Sequence, residues 1–285
     1  MRNEWLNGWE TTPTFSDIWL TTNGGEYRPM LRNVSLHAES YLYNKPAYDI
    51  FPMDNRWVHR FHFNPYYAKF PNCTEQRIGC FWKSELLSYK NIKKEIKYEF
   101  GMVLGYKPPD VQSAGYFAHV RKQVVECLKG RSFKYYGTDW HKNDPADPNY
   151  QGEIYIAGSR GDPAKFSDAR KLLSDVKFVF ALENTFHEVY SVNYLTEKMF
   201  HGFLSKSVPI YAGCWNIQEL VPDNLYIDLR KFGMSIPKAV EHCENMPDSE
   251  YSGYIARIEE WLSGQGLEFS SDNRFVQLDL KLTQI

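Results

Sequence analysis

The sequence predicts an α/β protein built on a parallel sheet, and three observations predict it. From Tyr98 to Phe232 short apolar runs alternate with amphipathic stretches, the pattern of strands joined by helices. Two of those runs, Phe178–Leu182 and Val208–Tyr211, end in distinctive residues: Glu183-Asn184 after the first, Gly213 soon after the second. Polar groups then gather between one strand and the next helix, the usual ligand crevice of an open α/β sheet.

The elements follow in order. Residues 1–96 are rich in aromatics, Asn and Pro, with strand candidates at Asp17–Thr21, Val34–His37 and Ile78–Trp82. The charged stretch 84–97 reads as a link between two domains. Residues 98–106, YEFGMVLGY, read as a strand. Phe117–Lys129 reads as a helix that buries Val120, Val124, Val125 and Leu128. Phe133–Tyr136 is the next strand, ended by Gly137. The stretch 138–168 is loop-rich and punctuated by Pro145, Pro148 and Pro163. A short helix at Ala169–Leu173 leads to the strand Phe178–Leu182. The next helix, 194–205, carries Leu195, Met199, Phe200, Phe203 and Leu204 on one face, with Asn193 as its N-cap. Ile255, Ile258, Trp261 and Leu262 mark a last helix that stops at Gly264.

Composition narrows the class. A chain of 285 residues holds one large or two modest domains. Apolar residues at 43% and charged residues at 24% are ordinary for a soluble globular protein. A net charge of −2 argues against a nucleic-acid surface, so the implied partner is neutral or small. The longest clean apolar run, VKFVFAL, is far too short to span a bilayer. The opening MRNEWLNGWETT has no apolar core and does not read as a signal peptide. Five scattered cysteines without a C-x-x-C pair speak against zinc or a disulfide framework and suit a reducing, cytoplasmic setting. The sequons at Asn33 and Asn72 are then not glycosylated.

The chemistry concentrates between 178 and 232. A helix start offers free N–H groups and a positive dipole end to a phosphate. Lys198 adds a mobile point charge there, and Glu197 an acceptor for sugar hydroxyls. Taken alone, Thr196-Glu197-Lys198 could equally be a solvated first turn, Glu183-Asn184 a capped turn, and Arg121 part of a solvated helix face. Ser159-Arg160-Gly161 only superficially suggests a phosphate loop, because neither G-x-x-x-x-G-K-[ST] nor G-x-G-x-x-G occurs. There is also no D-x-D triplet of the kind that metal-dependent glycosyltransferases use to hold a diphosphate. The eight Trp and twenty Tyr suit sugar stacking or a core, and no site is drawn from them.

Together, Glu183-Asn184, Tyr194-x-Thr196-Glu197-Lys198 and Val208-Pro209 with Gly213 resemble the FEN…Y-x-TEK…VP-x-x-x-G donor motif of α-1,3-fucosyltransferases, in the same order. The resemblance covers about residues 98–235 well and 35–70 weakly. It implies a GT-B fold, two Rossmann-like domains facing across a cleft, the first one short. The domains would be 1–96 on the acceptor side and 97–250 around GDP-fucose, with 251–285 packing back on the first.

The implied reaction moves L-fucose from GDP-fucose to a glycan hydroxyl with inversion. Asn184, Tyr194, Glu197 and Lys198 would contact the donor, while Glu183 orders the loop. Arg121 matches an arginine of the family that pairs with the diphosphate, so that protein cations replace a metal and no cofactor is required. The segment HAESYLYNKPAYDIFPMD resembles the family's base region and makes Glu39 the catalytic base, followed by Tyr48-Asp49 and Asp54, with Glu26 in reserve. HRFHFNPYYAKF, at 59–70, continues that likeness. Only 38 residues precede Glu39, fewer than the family usually has, and no membrane anchor of the kind found in animal members is present among them. The implied partners are a nucleotide-sugar donor and an oligosaccharide acceptor. Two alternatives stay open: a GT-B transferase using another nucleotide sugar, and an inactive nucleotide-sugar or glycan-binding protein.

Overall fold

Strand pairing among the described residues gives two larger parallel sheets and a short two-stranded ladder. The computed structural model describes residues 18–22, 32–37, 59–62, 73–77, 79–81, 83–107, 115–142, 147–153, 155–156 and 166–282. The first sheet runs in chain order through β1 (Ile18–Thr22), β2 (Arg32–His37), β3 (His59–His62) and β4 (Cys73–Glu75). All three pairings are parallel, with Leu20 beside Val34, Leu36 beside Phe61 and His62 beside Glu75. β1 and β2 lie within two residues of their expected bounds. β3 and β4 were not expected: HRFH and CTE lack apolar alternation, and only the ladder to their neighbours defines them.

The expected strand at Ile78–Trp82 is corrected. Among its described residues only Phe81 bridges, to Ser270. Cys80 N–H donates to Phe269 O at 2.8 Å and Ser271 N–H to Phe81 O at 2.6 Å. This segment pairs with the carboxyl-terminal region and not with a sheet.

The expected link at 84–97 is largely helical. It contains α1 (Lys83–Asn91), and its remainder is anchored by Lys94. The Lys94 ammonium donates to Ser207 Oγ at 2.8 Å, to Ser205 O at 3.0 Å and to Val176 O. Burial lowers its pKa to about 7. One lysine thus ties this segment to the amino-terminal ends of two strands of the second sheet.

The second sheet contains β5 (Tyr98–Val103), β6 (Phe133–Tyr136), β9 (Val176–Leu182), β10 (Val208–Ala212) and β11 (Ile227–Asp228). A separate two-stranded ladder pairs β7 (Tyr155–Ile156) with β8 (Phe166–Ser167). The spatial order of the second sheet is β11-β10-β9-β5-β6, parallel throughout. The helices are α2 (Val120–Leu128), α3 (Ala169–Leu172), α4 (Glu197–Leu204), α5 (Ile217–Leu220), α6 (Ile236–Glu244), α7 (Asp248–Ser263) and α8 (Ser271–Leu282).

β9 and β10 are buried on both faces, which explains their nearly continuous apolar runs. Phe178, Phe180 and Leu182 of β9 pack on one face with Val124 and Leu128 of α2 and Ala239 and Val240 of α6. On the other face, Ala181 and Tyr211 meet Met199, Phe200 and Phe203 of α4 and Ile258 and Trp261 of α7. α7 begins well before the expected apolar stretch. Asp248 and Glu250 in its first turn suit the dipole, and Tyr251 OH donates to Lys206 O at 3.0 Å. α8 lies against Gln76 and Lys83: Gln76 Nε2 donates to Arg274 O at 3.3 Å, and Lys83 N–H to Asp272 Oδ2 at 2.8 Å.

Replacing Lys94 with Met keeps the stem but leaves buried acceptors without their donor. Urea unfolding of Lys94→Met at pH 7 is expected to show a loss of about 1–3 kcal/mol. An unchanged midpoint would remove Lys94 as the anchor.

Candidate functional site

The sheet order fixes where the crevice opens. From β5 the chain crosses to β6 on one side, and from β9 it crosses to β10 on the other. The connections therefore diverge between the carboxyl ends of β5 and β9, the topological switch point where open α/β sheets bind ligands.

Arg121 sits at this point. Its Nη1 donates to Gly105 O at 3.1 Å, beyond the end of β5. Its Nη2 donates to Leu182 O at 3.0 Å and to Asn184 Oδ1 at 2.7 Å, at the end of β9. With 2% exposure, Arg121 is not on a solvated helix face. Both terminal nitrogens of Arg121 serve backbone carbonyls and the Asn184 amide. Arg121 sets the direction of Asn184, whose own carbonyl accepts from Phe117 N–H at 2.9 Å.

Glu183 is fully buried at the end of β9. Its carboxylate accepts from Thr196 N–H at 3.1 Å and from Thr196 Oγ at 2.8 and 2.9 Å. Lys198 Nζ lies 3.2 Å from Glu183 Oε2, 3.1 Å from Glu197 Oε1 and 3.0 Å from Thr196 Oγ. Burial raises the Glu183 pKa against the pull of Lys198. Glu183 thus orders the loop, as its position after the strand suggested. Gly213 completes the arrangement: a Cβ there would lie 2.2 Å from Glu183 Cγ. The glycine of the VP-x-x-x-G pattern is the space that the Glu183 side chain fills.

α4 begins at Glu197, and its N-cap is Thr196, whose hydroxyl accepts from Lys198 N–H. The expected cap, Asn193, is excluded by its left-handed backbone, φ 59°. Asn193 instead pairs amide to amide with Asn216, a partner invisible to periodicity because it is 23 residues away. Tyr194 is 1% exposed, buried beside the loop and not displayed on its surface. Trp215, after β10, is 41% exposed and lies 5.2 Å from the Phe186 ring. Both Asn216 and Trp215 went unremarked in the sequence. Their signal was their place after a strand end in a parallel sheet. Glu39, Glu26, Tyr48, Asp49, Asp54 and Ser159–Gly161 lie outside the described residues.

The start of α4 has defined protonation states. Burial pushes the Glu197 pKa up, but Lys198, His201 and a backbone N–H outweigh it and hold the carboxyl at about 2. Burial lowers His201 to about 4 against the opposing pull of Glu197 one turn away. His201 is neutral at pH 7 and Glu197 is ionised.

These values set an acid limb. An unfolded histidine titrates near 6.5, so between about 6.5 and 4 the unfolded chain binds a proton that the folded chain refuses. Stability therefore falls as pH drops through that window. Glu197 adds a second fall below about 4.3. Denaturant midpoints across pH 7 to 4 should decline in the wild type and decline less in His201→Asn. Equal slopes would place His201 in water.

Residues 149–263 match the family model "Glycosyltransferase family 10 (fucosyltransferase) C-term". Over 86 residues the chain is 42% identical to an α-(1,4)-fucosyltransferase of Arabidopsis thaliana, covering 30% of this chain and 20% of that protein. The chain thus spans about a fifth of the length of this curated relative. Among solved structures, an α1,3-fucosyltransferase with GDP superposes at a TM-score of 0.51 and 13% identity, over 88% of this chain and 70% of that one. An α-glucosyltransferase in complex with UDP-glucose and DNA containing an abasic site gives 0.52 and 11%, over 90% and 73%. These likenesses establish the α/β fold as the GT-B type. The matched segment contains Glu183, Asn184, the Thr196-Glu197-Lys198 helix start and Gly213. Through residues 149–263 the chain is similar to the carboxyl-terminal domain of glycosyltransferase family 10, the fucosyltransferases.

Proposed function

We propose that this chain transfers L-fucose from GDP-fucose to a glycan hydroxyl, with inversion and without an essential metal. One observation carries the reading. The residues that resemble the donor motif gather at the carboxyl ends of β9 and β10, where Glu183 binds Thr196 and Lys198 at the start of α4 and Asn184 is held by Arg121 beside the switch point.

On this reading the diphosphate lies against Lys198 and the amino terminus of α4. Asn184, aimed by Arg121, and Glu197, kept ionised, take hydroxyl and amide groups of the donor. Tyr194 backs the loop from within, and Arg121 contributes its charge from beneath. Inversion needs one base and no covalent nucleophile. Glu39 removes the acceptor proton, the freed oxygen attacks the anomeric carbon, and the bond to the diphosphate breaks on the opposite face. The departing GDP gains charge that Lys198 and the helix dipole stabilise. The acceptor is an oligosaccharide. A second reading keeps the site and changes the donor, since one of the similar folds belongs to a UDP-glucose enzyme.

Calorimetry with GDP, UDP and CDP in excess EDTA tests the donor class. GDP is expected to bind under chelation, and Lys198→Ala to weaken it by about 1.5–3 kcal/mol while affecting GMP less. Loss of all GDP binding in EDTA would end the metal-free scheme, and preference for UDP would favour the second reading.

The base is tested separately. Glu39→Gln should leave GDP-fucose affinity unchanged and slow transfer by roughly 10²–10⁴. Normal turnover in Glu39→Gln with a dead Glu26→Gln would move the base to Glu26. Normal turnover in both would remove the carboxylate-base scheme.

A further inference from the structure

The loop that carries Tyr194–Lys198 is held from outside its own domain. Asn193, the residue just before Tyr194, adopts a left-handed backbone that asparagine tolerates better than most residues. It is 6% exposed, and its polar groups meet partners from two directions. Its N–H donates to Asn216 Oδ1 at 2.8 Å, and its Oδ1 accepts from Asn216 Nδ2 at 3.1 Å. Asn216 Nδ2 also donates to Glu219 Oε2 at 2.9 Å. These contacts join the loop after β9 to the loop after β10.

The remaining contact crosses between sheets. Asn193 Nδ2 donates to Glu75 Oε1 at 3.0 Å, and Glu75 is the last residue of β4, the edge strand of the first sheet. Glu75 is itself anchored. It pairs with His62 in the β3–β4 ladder, and its carbonyl accepts from Lys281 Nζ of α8. Arg77 Nε lies 3.6 Å from its carboxylate. A fixed post on one sheet therefore grips the residue that leads into the motif on the other.

We propose that Asn193 is a positioning residue and Glu75 its anchor, together setting the Tyr194–Lys198 loop from the first domain. The proposal rests on the donor-site reading above for its consequence, and on the Glu75–Asn193 contact for its mechanism. Thr196 must sit within hydrogen-bond reach of Glu183 for Lys198 to be held, and only Tyr194 and Leu195 separate it from the gripped Asn193. Motion of the first sheet relative to the second is thereby transmitted to the start of α4.

The amide chemistry supplies a test by reversal. Asn193→Asp keeps the bond from Asn216 but places an acidic oxygen against Glu75. Glu75→Gln leaves an acceptor for Asn193. The double variant Asn193→Asp with Glu75→Gln restores a donor–acceptor pair with its direction reversed. Two readouts are taken on all four proteins: hydrogen–deuterium exchange of a peptide covering 193–200, and GDP affinity by calorimetry.

Asn193→Asp is expected to speed exchange and weaken GDP binding by about tenfold each. The double variant is expected to return both to within about threefold of wild type, a rescue that generic loss of packing would not give. Wild-type exchange in Asn193→Asp, or a double variant no better than it, would overturn the proposal. So would restored exchange with GDP affinity unaffected throughout. If the wild type binds no GDP, the donor reading fails, and rescue of exchange alone decides whether the latch exists.

Discussion

A carboxylate with no exposure, at the end of a central strand, is the constraint around which the site is arranged. Glu183 cannot stay ionised there without donors, because burying an unpaired charge costs several kcal/mol. Its donors come from Thr196 and Lys198, beyond a loop of about a dozen residues. The loop must fold back so that Thr196 reaches the end of β9, and that return fixes where α4 begins. Gly213 must lack a side chain because Glu183 occupies its Cβ position. The three pieces of the motif, scattered over some thirty residues of sequence, are thus one object: a buried acid, the helix start that satisfies it, and the gap that admits it.

The second sheet was legible in the sequence because burial on both faces writes its strands as apolar runs. Phe178–Leu182 and Val208–Tyr211 stand out for that reason, and the helix with Val120, Val124, Val125 and Leu128 stands out by period. β3 and β4 were not legible, because HRFH and CTE carry no period-two signal and are defined by pairing partners far along the chain. The cap of α4 was misplaced for a related reason. Asn193 and Thr196 are both good N-caps locally, and the choice was made by Glu183, which takes Thr196, and by Asn216, which takes Asn193. Arg121 did carry a signal that the solvated-face reading overlooked. It lies three and four residues before Val124 and Val125, on the stripe that faces the sheet, so its guanidinium had to enter the fold.

The switch point explains what that guanidinium does. Between β5 and β9 the connections part, and there the carbonyls of Gly105, beyond β5, and Leu182, at the end of β9, both accept from Arg121. Arg121 covers both and has one further bond for Asn184. A fork that binds three acceptors at the floor of a crevice is rigid, which suits it to aiming a neighbour better than to following a mobile phosphate. On the proposed reading the charge lies close to the donor, and its field favours the diphosphate there.

Lys198 presents the complementary case. Two carboxylates within 3.2 Å cancel much of its net attraction for an anion, yet they also hold its ammonium in place. A freely rotating lysine would lose up to about 2 kcal/mol of side-chain entropy on binding a phosphate. Here that ordering is complete when the chain folds. On the proposed reading, the start of α4 therefore discriminates less by total charge than by position. A phosphate gains from Lys198 only where the fixed ammonium and the helix N–H groups converge, and that point is set by Glu183 at the end of β9. The same preorganisation suits a step in which negative charge develops on the departing diphosphate, since the stabilising dipoles need not reorganise as the bond breaks.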